Sequence, residues 1–118
     1  MAISQNTLFE ILVATARNKA VITYKELSDA YHKSTGFWHE PHGTWDIPLG
    51  ELNNSLHAMG LPPLSAVVVL AETQELGGLF WGSSQNTPSR PSNQLARTLE
   101  YAKILGMVHA TQWPDSLP

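Results

Sequence analysis

Apolar side chains recur at helical spacing in four stretches of the chain and run together in a fifth. Between Thr7 and Arg17, Leu8, Ile11, Leu12 and Ala16 share one face of a 3.6-residue repeat. Thr7 with Glu10 has capping-box spacing at its start, and Ser4 competes as the cap. Ala20-Val21-Ile22, short and β-branched, reads as a brief extended piece. Thr23 and Glu26 then repeat the capping-box spacing, and Ile22 with Leu27 occupies the two positions of a hydrophobic staple. This predicts a second helix with an apolar stripe of Tyr24, Leu27, Ala30 and Tyr31, ending near His32-Lys33.

The twelve residues from Ser34 to Trp45 follow neither period and hold Gly36, Pro41 and Gly43, which predicts a long loop. Asp46 is placed to cap a third helix with Pro48 in its first turn. Its stripe would be Leu49, Leu52, Leu56 and Met59, with Gly60 as the stop, and its outward positions Gly50, Glu51, Asn53, Asn54 and His57. The valine-rich run from Leu64 to Ala71 predicts a strand buried on both faces. A polar turn over Glu72 to Gly78 and a return through Leu79-Phe80-Trp81 would complete a hairpin, with one of Phe80 and Trp81 in the core and the other facing out. After a Ser-, Asn- and Pro-rich loop from Gly82 to Pro91, Ser92 would cap a fourth helix carrying Leu95, Leu99, Ala102 and Leu105 and stopped by Gly106. The tail from Met107 to Pro118 has no assigned element.

Composition narrows the class. With 118 residues and 42% hydrophobic side chains the chain suits one domain, 1–118, able to bury roughly two thirds of its unfolded surface. The absence of Cys excludes disulfides, thiolate metal sites and a cysteine nucleophile. Ala66 to Ala71, the longest apolar run, is far short of the ~20 residues of a membrane span, and Met1-Ala2-Ile3-Ser4 lacks the basic flank of a secretory signal, so a cytoplasmic protein with no membrane partner is expected.

Two stretches carry a family resemblance. Val21-Ile22-Thr23-Tyr24-Lys25-Glu26-Leu27 looks like the strand-to-second-helix junction of winged-helix domains, with their Thr-Tyr-x-Glu-Leu start. Gly60-Leu61-Pro62-Pro63-Leu64-Ser65-Ala66-Val67-Val68-Val69, with Gly77-Gly78-Leu79-Phe80-Trp81 after it, is similar to small bacterial winged-helix-like domains, some of which accompany nucleases and defence proteins. The resemblance covers residues 7–82. It implies an α+β fold: three helices, a small antiparallel sheet with a hairpin wing, and an added C-terminal helix and tail at 92–118. It also implies a helix-turn-helix arrangement in which the third helix and the wing meet DNA, or a role in bacterial or phage defence or anti-defence.

Charge speaks against the DNA role. Residues 1–33 carry a balance of +1 and residues 83–118 another +1, whereas residues 34–82, holding the loop, third helix and hairpin, have no Lys or Arg and a balance of -5. DNA affinity comes largely from neutralised phosphates, and the surfaces that would face them are the most acidic of the chain. The expectation is therefore a non-catalytic winged-helix-like module that binds a protein, itself basic or nucleic-acid-binding, as adaptor, immunity factor or inhibitor. Its candidate contacts are Phe37, Trp38, Glu40, Trp45, Glu51, Glu72 and Glu75, since Trp is the commonest anchor of protein interfaces. Trp38 and Trp45 could equally fold back over the helices and close the core. The alternative is a DNA-binding regulator in which Asn53, Asn54 and His57 read base edges and a dimer gathers Arg17, Lys19, Lys25 and Lys33 from two subunits to hold phosphates.

Chemistry-bearing patterns are sparse. His32, His39 and His42 with Glu40 and Asp46 are the one cluster of metal-ligand types, and a small metal-dependent enzyme at this loop is a further alternative, though its spacing is not that of a helix-borne pair. No serine sits in a Gly-x-Ser-x-Gly turn, and Gly77-Gly78 leads into an apolar run rather than a helix, so no phosphate loop is formed. No catalytic residue and no cofactor are expected.

Overall fold

Each helix forms where its cap and apolar repeat coincide, and the computed structural model of the chain describes residues 3–41, 44–77 and 80–117. Helix α1 (Gln5–Arg17) starts at Ser4, whose hydroxyl accepts the Thr7 amide; Thr7 lies inside the first turn rather than at the cap. Strand β1 (Ile22–Thr23) leads directly into α2 (Tyr24–Thr35). Here the predicted capping box is complete: Thr23 Oγ1 accepts the Glu26 amide and the Glu26 carboxylate accepts the Thr23 amide. Gly36 ends α2 at φ +80, a left-handed conformation that a Cβ would strain, and its amide closes on the His32 carbonyl.

Helix α3 (Asp46–Ala58) begins one residue earlier than predicted. Trp45 occupies the cap position without a side-chain bond, and Asp46 is already helical. Leu49, Leu52 and Leu56 point inward as expected, whereas Met59 is exposed. Gly50 and Asn53, expected outside, are buried, because α3 is covered on two sides: the loop around Ser83 crosses Gly50, and the chain at Ser65 crosses Asn53.

The predicted hairpin wing is overturned. Leu64–Val67 turns as a short 3-10 segment, and only Val68–Val69 is extended, as β2. β2 pairs with β1, in parallel, with Ile22 opposite Val68 and Thr23 opposite Val69. Of the run from Leu64 to Ala71, expected to be buried on both faces, Leu64 to Val69 are buried and Leu70 and Ala71 are exposed; its composition does not distinguish a strand from a buried turn. Phe80 lies in a turn closed by its amide on the Gly77 carbonyl; Leu79 and Gly78 fall outside the described residues. Phe80 is buried and Trp81 half-buried, without a strand to alternate them. The described residues thus form a mainly helical protein with a two-stranded parallel sheet; the three helices and the added C-terminal helix are present, and the antiparallel winged sheet is not among them.

Helix α4 (Gln94–Ala110) is present as expected but differs at both ends and in the face it buries. Asn93, not Ser92, caps it through the Ala96 amide, and it runs through Gly106 for another turn. It packs on the 3-10 segment and α1 with Ile104 and Val108, leaving Leu95 and Leu99 in solvent. Trp113 in the tail joins the core, edge-on to Phe9 at 6.4 Å and donating to the Val108 carbonyl at 3.0 Å.

Candidate functional site

The loop after α2 divides its aromatic residues between two environments. Its first turn is fixed by Thr35, whose hydroxyl donates to the Tyr31 carbonyl at 2.8 Å and accepts the Phe37 amide at 3.1 Å. Phe37 and Trp38 follow at once and are each 52% exposed, Trp38 standing edge-on to His32 at 6.2 Å. Beyond them the chain returns to the core. Pro41 is buried, the Thr44 hydroxyl donates to the Glu40 carbonyl, and the His39 ring lies 4.1 Å from that of Trp45, with Nε2 at 3.1 Å from the Thr44 carbonyl.

Trp45 is not a contact residue. It is 0% exposed, donates its indole N–H to the buried Ser28 hydroxyl at 2.9 Å, and meets Tyr31 edge-on at 5.5 Å. Of the four aromatic and acidic loop candidates, Phe37, Trp38 and Glu40 therefore remain at the surface and Trp45 closes the core. Glu51 and Glu72 are exposed, on α3 and in the turn after β2. Glu75, also exposed, faces α4, where its carboxylate accepts from the Gln94 amide at 3.4 Å.

The residues proposed to read DNA do not assemble. Asn53 is fully buried: its amide nitrogen donates to the Ser65 hydroxyl at 2.7 Å and its amide oxygen accepts the Ser65 backbone N–H at 3.3 Å. Asn54 is exposed but holds the Gln85 amide at 2.8 Å, tying α3 to the loop before α4. His57 stays exposed in the last turn of α3. Lys25 pairs with Asp29 along α2 at 3.0 Å, and Lys33 is exposed near the end of that helix. Arg17 and Lys19 engage the C-terminal part of the chain. Arg17 donates to the Trp113 carbonyl at 2.7 Å and pairs with Asp115 at 3.1 Å, and Lys19 donates to the His109 carbonyl at 3.2 Å.

Two titrating groups sit where α2, α3 and the turn after β2 converge. Burial pushes the Tyr24 phenol up to about 12, with the Asp46 charge adding to the effect. Burial also raises the Asp46 carboxyl. Among the described residues no three His, Asp or Glu form a group able to hold a metal ion; of the histidine cluster, His42 lies outside those residues. Nor does any described helix have the length and apolarity to cross a membrane.

Sequence reasoning missed one exposed apolar face. Leu95 and Leu99 of α4, on the stripe that periodicity singled out, are 69% and 63% exposed, with Ala102 of that stripe also exposed and Leu105 half-buried against the core. The signal was present in Ile104 and Val108, four apart on the opposite side of the same helix, which give the helix a second apolar face. No protein-family model, curated protein or solved structure matches the chain.

Proposed function

We propose that the chain is a non-catalytic binding module whose loop after α2 engages a basic protein. The observation that carries this reading is the half-exposure of Phe37 and Trp38 within a 49-residue stretch, 34–82, that contains no Lys or Arg and five carboxylates. Large aromatics held out by an ordered turn lose little side-chain freedom on binding, and exposed carboxylates such as Glu40 in the same loop attract a partner of opposite sign. The engagement of Arg17 and Lys19 by the C-terminal segment and of Lys25 by Asp29 on its own helix supports a protein rather than a nucleic acid, because these cations are not gathered on α3 as phosphate contacts beside a recognition helix would be.

The test uses a synthetic amphipathic peptide of alternating Leu and Lys or Arg, and separately a mixed-sequence DNA duplex, each labelled and titrated with the protein. The peptide is expected to bind at low salt and to weaken as salt rises. The double variant Phe37→Ser/Trp38→Ala, which changes no charge, is expected to weaken it at least about 10-fold, equivalent to roughly 1.4 kcal/mol. Peptide binding indifferent to the double variant, or duplex binding with a steep salt slope in its place, overturns the reading.

A further inference from the structure

The turn after β2, the loop before α4 and the first half of α4 border an open cleft of about 420 Å³, within the range of small-molecule sites. Its apolar wall is Leu70 and Leu76; Trp81 and Tyr101 add two aromatic faces, both half-buried. Half-buried Arg97 and exposed Arg90, two of the three arginines in the chain, complete it.

Neither guanidinium has a carboxylate partner among the described residues, whose ion pairs are Arg17–Asp115 and Lys25–Asp29. Arg97 is oriented by one bond, Nη1 to the Pro91 carbonyl at 3.2 Å, which leaves most of its five N–H donors free. Glu75 also lines the cleft but meets the Gln94 amide rather than either arginine, so the walls hold two cations against one anion. The turn that presents this wall is held by the Leu70 amide on the Glu75 carbonyl and the Gln74 amide on the Leu70 carbonyl, both 2.8 Å. It includes Gln74 in the left-handed region at φ 58, a conformation that is strained for a non-glycine residue.

A planar guanidinium fork matches the two oxygens of a carboxylate or phosphate, and aromatic faces take a flat ring. We infer that this cleft binds a small organic oxyanion carrying a planar ring, its acid group on Arg90 and Arg97 and its ring against Trp81 and Tyr101. Glu75 adds an acceptor for a hydroxyl or amino group on the same ligand. This site is separate from the loop after α2 and stands whether or not that loop binds a protein.

Titration calorimetry against adenosine monophosphate and indole-3-acetate, with inorganic phosphate and adenosine as the isolated halves, tests the inference. One or both of the ring-bearing acids is expected to bind at least about 10-fold more tightly than either half. Binding of the nucleotide alone identifies a phosphate ligand, and binding of the indole acid alone a carboxylate. Arg90→Gln and Arg97→Gln are each expected to weaken binding about 10-fold or more, and Trp81→Leu to remove the advantage over inorganic phosphate. Melting of each variant without ligand separates loss of the site from loss of the fold. The inference is overturned if neither acid binds at up to roughly 10 mM, or if folded Arg90→Gln and Arg97→Gln bind as the parent does.

Discussion

Trp38 and Trp45 lie seven positions apart in one irregular loop, yet one is solvated and the other has no exposed surface. The difference comes from a polar handle: the Trp45 indole N–H finds the Ser28 hydroxyl inside the core, so the ring can be buried without an unpaired donor. Trp45→Ala should therefore lower stability by about 3–5 kcal/mol, while Trp38→Ala changes it by less than about 1 kcal/mol, as measured by urea unfolding. Asn53 is a second case. A polar residue at that position of an amphipathic helix reads as solvated, and what places it inside is Ser65, twelve residues further on, which satisfies both ends of its amide. Such pairings join residues whose closeness exists only in the fold. The Thr23–Glu26 capping box, by contrast, was legible because both of its partners lie within one helical turn.

At the scale of the elements, helices were easier to find than to orient. Each of the four appears in the apolar spacing, but spacing identifies a face, not what covers it. In α4 the Leu95–Leu99 face is left in water and the Ile104–Val108 face is buried where the helix packs on the 3-10 segment and α1. Replacing Leu95 and Leu99 with Gln is expected to change unfolding free energy by no more than about 0.5 kcal/mol each, whereas Ile104→Ala should cost about 2–4 kcal/mol. Chemical denaturation of the three variants checks the orientation directly. The hairpin failed for a different reason. A valine-rich run, a polar turn and a second apolar run satisfy a hairpin pattern locally, but burial of Val68 and Val69 beside β1 gives that run its partner elsewhere in the chain.

Over the whole molecule, Tyr24 links three parts. It opens α2, senses the charge of Asp46 on α3, and reaches the turn after β2, where a Cβ added to Gly77 would come within 2.7 Å of its hydroxyl. Since its folded-state value is raised, the folded chain keeps the phenolic proton that the unfolded chain releases. Stability should be fully present below about pH 10, the ordinary tyrosine value, and decline as pH rises towards about 12. Tyr24→Phe is expected to flatten this decline in unfolding measured across alkaline pH, and Asp46→Asn to shift its end to lower pH. The parallel pairing of β1 with β2 has a kinetic counterpart. Ile22 and Val68 are forty-six positions apart, with two helices and an irregular segment between them, so their contact closes a large loop. A turn-closed hairpin would zip from its own bend; this pair must wait until α2 and α3 have already found their places, which makes it a late event in folding and ties its survival to theirs.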